Sequence, residues 1–410
     1  MGKYLFPIFS LALLVLFEIY TWQAIKLLSK GKYKFIKWIY LACNASLYLL
    51  FIYYKIAGPE SIAKTIVTYN GLFFFVLLIG KLIITLFFAV NDLYRIIRFL
   101  FTKMKSTGEP KGKLISRSEF LSKIAMGVAA IPMISLIHGV FINAYNYQFH
   151  RVKLKFPNLP DAFDGFTIIQ LSDIHSGSFN ETKPIIEVIR KINKLNADLI
   201  LFTGDLVNNI TDEMLPFMDI FNKLQAKHGV MSVTGNHDYG DYVEWPTPEA
   251  KKDNFNRFIE THQKLGWNLL INENRLIEKN GQKIAIIGIE NWGKALRFPR
   301  YGKMGLAIKG TEDIPFKILL SHDPSHWDAQ VRPLYKDIDL TLSGHTHGFQ
   351  FGIESKYVKF SPSQWVYKQW AGLYQAGKQY LYVNRGFGFL GYPGRVGILP
   401  EVTIIELKKA

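Results

Sequence analysis

Asp198-Leu199-Ile200-Leu201-Phe202-Thr203-Gly204-Asp205-Leu206-Val207-Asn208-Asn209 decides how the chain folds, because an apolar run of strand length stops at a glycine and presents one carboxylate. Such a run, closed by a turn signal, fits a strand covered on both faces. Gly204 lets backbone approach a bound ion closely. Four more runs end in the same way. Phe166–Ser172 leads into Asp173-Ile174-His175, and Gly229–Thr234 into Gly235-Asn236-His237-Asp238. Phe316–Leu320 leads into Ser321-His322-Asp323-Pro324, and Asp339–Leu342 into Ser343-Gly344-His345-Thr346-His347. Five predicted strand ends therefore carry hard or borderline metal ligands.

Asp173, His175, Asp205, Asn236, His322, His345 and His347 make seven candidate ligands. Oxygen and imidazole donors without thiolate suit divalent Mn, Fe or Zn, or a mixed pair. Seven donors exceed a single tetrahedral site with an open position and fit two sites sharing one carboxylate. Taken singly, His322 or His345 would be a structural histidine and Gly204-Asp205 a turn. The ordered set carries the assignment.

The order Asp-x-His, Gly-Asp, Gly-Asn-His-Asp, Ser-His, Gly-His-x-His, spanning residues 173–347, resembles the calcineurin-like metallophosphoesterase superfamily. The resemblance implies a first metal on Asp173, His175 and His347, a second on Asn236, His322 and His345, and Asp205 bridging them. It implies that His237 faces the scissile phosphate and that Asn236 adjoins the substrate. Asp238 is expected to orient or charge His237. The tail, with Ala371-Gly372-Leu373-Tyr374, Tyr382-Val383-Asn384-Arg385-Gly386, Pro393-Gly394-Arg395 and Pro400-Glu401-Val402-Thr403, is similar to the membrane-linked bacterial phosphodiesterase branch. That branch includes UDP-2,3-diacylglucosamine hydrolases. Two departures from the pattern are Phe349, where many members have glycine, and the polar stretch Tyr239–Asn256, read as an inserted loop. The implied fold is a two-sheet αββα sandwich, with the metals at strand ends.

The 410 residues are long enough for two domains, and the charge is unevenly placed. Residues 1–150 hold 17 basic and 5 acidic groups, whereas residues 151–410 hold 32 and 28. The positive excess lies between long apolar segments instead of on a globular surface, so no nucleic-acid partner is expected; membrane topology accounts for it. Tyr4–Ile25, Phe35–Tyr54, Ile66–Val90 and Leu121–Ile142 approach or exceed the roughly 20 residues that cross a bilayer. The chain thus reads as an all-α four-helix transmembrane anchor over residues 1–142, with a basic cytoplasmic linker, followed by an α/β domain over residues 143–410. A cleaved signal peptide fits the first segment poorly, since Glu18 lies inside it and no small-residue cleavage site follows.

Loop charge orients the helices. Lys26, Lys30, Lys32, Lys34 and Lys37 follow the first segment, and Arg95, Arg98, Lys103, Lys105, Lys111, Lys113 and Arg117 follow the third. The middle loop has only Lys55 and Lys64. The first and third loops are therefore cytoplasmic, and residues 151–410 lie on the outer side of the plasma (inner) membrane, with Arg151, Lys153 and Lys155 as contrary evidence. Ser116-Arg117-Ser118 resembles a twin-arginine signal that lacks its second arginine. Asp92–Met104 reads either as a cationic amphipathic surface helix or as a continuation of the third span, and Ser106–Gly112 as a linker. Glu18 and Lys81 are intramembrane ionisable groups that call for partners, Asn44 and Asn70 are helix–helix contacts, and Cys43, the single cysteine, forms no intrachain disulfide.

In the second half, Lys183–Asn196 and Glu213–Lys227 read as helices, and Asn268–Ile289 as a hairpin turned at Asn280-Gly281. Arg385, in a glycine-rich loop, is a candidate substrate-binding residue; Arg297 and Arg300 are weaker ones. Trp365, Tyr367, Trp370 and Tyr374 read as core, or as an aromatic group at a membrane interface. The expected partners are a lipid bilayer and a phosphodiester or pyrophosphate substrate, possibly lipid-linked, with two divalent metal ions as cofactors. The alternatives are a cytoplasmic UDP-2,3-diacylglucosamine hydrolase, which conflicts with the charge-derived topology, and a non-catalytic membrane sensor or scaffold. Retention of every ligand and of His237 argues against the scaffold.

Overall fold

The computed structural model describes residues 2–29, 35–58, 64–102, 117–294, 298 and 300–410. The chain divides into two compact units, Met1–His138 and Gly139–Ala410. Lys30, Lys32 and Lys34, the basic residues from Lys103 to Lys113, the linker Ser106–Gly112 and Arg297 lie outside the described residues.

Among its described residues the first unit contains four helices, α1 (Gly2–Leu28), α2 (Phe35–Ala57), α3 (Lys64–Thr102) and α4 (Arg117–His138). Among the described residues, Phe35–Tyr54, Ile66–Phe101 and Phe120–Asn143 are long and apolar enough to cross a membrane. The third span is longer than the sequence reading gives it. Asp92–Thr102 continues α3 without a break, so it is not a separate surface helix; Asp92 is tied down by the Tyr20 hydroxyl at 3.0 Å. Ala24, Ile84, Phe88, Ala125 and Ala129 bring α1, α3 and α4 together, and small residues allow such close approach. The Lys81 ammonium contacts the Glu18 carboxylate and donates to Asn44 Oδ1 at 2.6 Å. Tyr40 and Tyr48 hydroxyls also donate to Glu18. Buried Lys81 is thus paired with a half-buried Glu18. Cys43 is exposed on its helix.

In the second unit, all five apolar runs form strands. Alternate side chains of a strand face opposite ways, and here both faces are buried. In Leu199–Phe202, Leu199 and Leu201 join one core, Ile200 and Phe202 another. One six-stranded sheet runs, edge to edge, through Gln148–Phe156, Glu401–Lys409, Thr167–Leu171, Leu199–Phe202, Val230–Ser232 and Trp267–Leu269. The other runs through Gly372–Ala376, Gln379–Val383, Leu340–Ser343, Lys317–Leu320, Gln282–Gly288 and Glu273–Lys279. The central strands of each sheet pair in parallel, so their carboxyl ends gather on one side.

Ile168, Leu199 and Leu201 meet Ile286, Ile318 and Leu342 between the sheets. Outside the first sheet lies α5 (Lys183–Asn193), whose Ile185, Val188, Ile189 and Ile192 pack on Ile169, Ile200 and Phe202. Outside the second lie Trp327, Val331, Met304 and Ala307. This is the expected sandwich. The hairpin also forms: Glu273–Lys279 pairs antiparallel with Gln282–Gly288, and Asn280 and Gly281 take φ of 50° and 74°, as a two-residue primed turn requires.

Two local readings fail. Residues 213–227 do not form one long helix. Pro216 interrupts them, since it lacks an N–H to continue the ladder, and a 3₁₀ turn at Thr211–Phe217 gives way to a short helix at Met218–Phe221. The polar stretch Tyr239–Asn256 is not all loop. Thr247 caps a helix, Pro248–Leu265, by accepting from Ala250 N, with Pro248 at its first position. That geometry starts helices well.

Candidate metal centre

Each of the five central strand ends delivers its ligands just past the last ladder bond. Asp173 N donates to Gly204 O at 2.9 Å, His175 N to Asp205 O at 3.1 Å, and Gly344 N to His322 O at 2.9 Å, so neighbouring loops hold one another in register. Asp173, His175, Asp205, His345 and His347 have φ between 48° and 71°, the left-handed region that non-glycine residues seldom occupy. Strain of this kind concentrates at functional sites. Gly235 packs on Asp205, where a side chain would collide with the carboxylate.

The ligands gather into two triads. Asp173, His175 and His347 form one, and Asp205, His322 and His345 the other, with donor atoms within 4.8 Å of each other inside each triad. Asp205 belongs to both by distance, since its Oδ2 lies 3.5 Å from His175 Nε2 and 3.1 Å from His322 Nε2. The donors suit cations. His175 Nε2 and His347 Nε2 are 3.1 Å apart, and His322 Nε2 and His345 Nδ1 are 3.2 Å apart. Asn236 Oδ1, one residue past Gly235, is buried without a hydrogen-bond partner, while its amide nitrogen donates to the Tyr242 hydroxyl at 2.7 Å.

Electrostatics agrees. Burial pushes His175 down to about 3, leaving its ring neutral and able to ligate. Burial alone would raise Asp205, but His322 and His237 hold it well below the usual carboxylate range. Burial disfavours a charged His322 as well, yet Asp205 and Asp173 raise it to about 10. The local field is thus negative enough to keep a buried imidazole protonated, and a divalent cation would displace that proton.

Residues 166–349 match the family described as calcineurin-like phosphoesterase, and residues 3–144 match a probable calcineurin-like phosphoesterase transmembrane domain. The metallophosphoesterase YkuE of Bacillus subtilis is 30% identical over 305 residues, covering 72% of this chain and 99% of that protein. The chain belongs to the calcineurin-like phosphoesterase family. The phosphodiesterase YaeI of Escherichia coli is 27% identical, over 72% of this phosphoesterase and 100% of YaeI. A zebrafish transmembrane protein with a metallophosphoesterase domain is 28% identical, over 73% of this phosphoesterase and 68% of that protein. The chain is a metal-dependent phosphoesterase with a membrane domain, and its two triads are those of a dinuclear centre.

The phosphoesterase places the remaining candidates differently from the sequence reading. His237 is half-buried, and its Nδ1 lies 2.6 Å from Asn208 O. A carbonyl only accepts, so Nδ1 carries a proton. Asp238 does not orient His237. Its carboxylate accepts from Asp205, Leu206 and Gly235 N at 2.8–3.0 Å and from Val207 N at 3.3 Å, pinning the loop that carries Asp205. Arg385 is not presented to a substrate. Both ends of its guanidinium are engaged, by Glu354 and by Glu401, and the ion pair explains the residue. Arg300 likewise donates to Gly293 and Lys294 carbonyls.

Four neighbours of the centre escape the motif reading. Tyr242 stacks near His237, with ring centroids 4.3 Å apart. The Tyr367 hydroxyl is 2.7 Å from His345 Nε2. Asp323 Oδ2 is buried without a hydrogen-bond partner, 3.7 Å from His345 Nε2. Fully buried Arg395 donates to the carbonyls of Arg385, Gly386 and Gly388 and lies 3.2 Å from His347 Nδ1, tying the tail loop to a ligand. Asp323 and Arg395 lie in quoted motifs and Tyr367 in the aromatic group, but nothing local assigns any of them to the centre.

Proposed function

We propose that the protein is a multi-pass enzyme, anchored through residues 1–142, whose domain 143–410 hydrolyses a phosphodiester or pyrophosphate of a lipid or other envelope-associated substrate on the extracytoplasmic side. The observation that carries this reading is the position of Asp205 Oδ2 between His175 and His322. Asp173, His175 and His347 would hold one ion and His322, His345 and Asn236 the other, with Asp205 available to both. Two divalent ions so bound would polarise the phosphate oxygens and make water a nucleophile at neutral pH.

The protein's own groups do the rest. His237, fixed through Nδ1–H on Asn208 O, turns Nε2 toward the departing oxygen; in its doubly protonated form it gives that oxygen the Nε2 proton and is left as the neutral Nδ1–H tautomer. Asn236 holds the substrate side of the second site. Asp238 keeps the Asp205 loop in place. No covalent enzyme intermediate is needed. The full chain, purified in detergent and supplied with Mn, is expected to hydrolyse bis(p-nitrophenyl) phosphate faster than p-nitrophenyl phosphate. Turnover of the monoester alone would refute the diester reading.

A further inference from the structure

Among the described residues after residue 150, fourteen large apolar side chains are exposed, and seven of them fall between Phe349 and Val366. The segment begins at the metal centre. His347 is a triad residue, and two positions on Phe349 stands exposed at φ 55°. From there a two-stranded hairpin projects, Ile353–Glu354 paired only with Lys359–Phe360. Its tip closes through Ser355 N to Val358 O at 2.8 Å. Tyr357 is 88% exposed at the tip, and Trp365 is 75% exposed just beyond the second strand. The neighbouring aromatics Tyr367 and Trp370 are buried, so the core is supplied without Trp365 and Tyr357.

Exposed clusters of this kind mark contact surfaces. Three observations say what covers this one. The residues are Trp and Tyr with aliphatic neighbours, the types favoured where a bilayer meets water. Within it Lys356 is exposed and Glu354 is paired with Arg385, and Lys368 is exposed two residues beyond its end. A cationic rim complements anionic headgroups. The chain also matches a transmembrane domain over residues 3–144, so a bilayer is always within reach.

We propose that Phe349–Val366 is a docking surface for a bilayer bearing anionic lipid, and that it seats the mouth of the metal centre against that bilayer. The substrate class it selects is a phosphoester displayed at the lipid surface, an inference that rests on the diesterase reading above. Docking itself does not.

The test uses the full chain in phosphatidylglycerol vesicles, with Cys43→Ser removing the native thiol and Tyr357→Cys carrying an environment-sensitive fluorophore. Lipids bearing a headgroup-proximal nitroxide serve as quencher. Lys194→Cys is the reference: it follows α5 and precedes the strand Leu199–Phe202, placing it at the end of the sheet opposite the metal ligands. Several-fold stronger quenching at 357 than at 194, falling when phosphatidylcholine replaces phosphatidylglycerol, is expected. Equal quenching at the two positions overturns the proposal, as does energy transfer between copies labelled at 357 without lipid quenching. Hydrolysis of bis(p-nitrophenyl) phosphate is followed in the same samples. Quenching without hydrolysis upholds docking and sinks the diesterase reading; hydrolysis without quenching does the reverse.

Discussion

Among the described residues, the ionisable cluster around Lys81 in the helical unit and the one at the strand ends are built on opposite plans. In the helical unit, Glu18 is met by Lys81, Tyr40 and Tyr48, and Lys81 also by Asn44. At the strand ends, imidazole nitrogens face one another at 3.1 and 3.2 Å, and Asn236 Oδ1 and Asp323 Oδ2 have no hydrogen-bond partner. A closed network holds a structure together, whereas convergent donors with vacant lone pairs await something of opposite charge. Charge is common to both; the unpartnered oxygens mark the second as the site. Arg385, clamped between Glu354 and Glu401, belongs with the closed kind.

Mutations that separate binding from support can break this contrast. The largest effect belongs to Asp205→Ala, which removes the one carboxylate shared by both triads. Loss of several kcal/mol of transition-state stabilisation, on the order of 10³-fold in kcat/KM, is expected, together with loss of bound metal and an intact far-UV circular dichroism spectrum. Activity within tenfold of the parent would deny the shared role.

Glu18→Ala comes next, and its effect falls on stability. Removing this part-exposed carboxylate leaves buried Lys81 with Asn44 alone and costs about 1–3 kcal/mol, read as a lower unfolding midpoint in detergent. Hydrolysis of a soluble diester by the surviving folded fraction should not change. A Glu18→Gln, Lys81→Met double variant should recover most of the loss; if it does not, the cluster is more than a closed pair.

Asp238→Asn is expected to lower kcat/KM by roughly 10- to 100-fold, as supports behind metal ligands generally do. The fall should be accompanied by weaker metal affinity and no shift in the pH profile. A displaced pH profile would return Asp238 to proton transfer. Smallest is Tyr367→Phe, which deletes one hydrogen bond to His345, worth about 1 kcal/mol. A several-fold decrease is expected in metal titrations of activity, and no change there would make Tyr367 a packing residue.

The strands and both triads are legible in the sequence for one reason. A strand covered on both faces is an uninterrupted apolar run, and an Asp or His immediately after it stands out. The Asn280-Gly281 turn is equally local. What escapes depends on partners that sequence spacing hides. Asp238 bonds backbone N–H groups, which every residue supplies, so its service to the Asp205 loop leaves no mark. Glu354 and Glu401 lie 31 and 16 positions from Arg385, and without them a glycine-rich loop bearing an arginine resembles a phosphate site. The helix Pro248–Leu265 buries a narrow face, Asn254, Phe258, Thr261, His262 and Leu265, and that half-polar stripe reads as loop. Trp365 and Trp370 differ by five positions and look alike in sequence, yet one is 75% exposed and the other 5%.

The central claim is a pair of metal ions joined through Asp205. Electron paramagnetic resonance of the full chain loaded with Mn(II), with metal content counted on the same sample, tests it most directly. Two Mn per chain and a spin-coupled spectrum, lost in Asp205→Ala, are predicted. One Mn per chain, or two with only the six-line signal of isolated ions, would contradict the account.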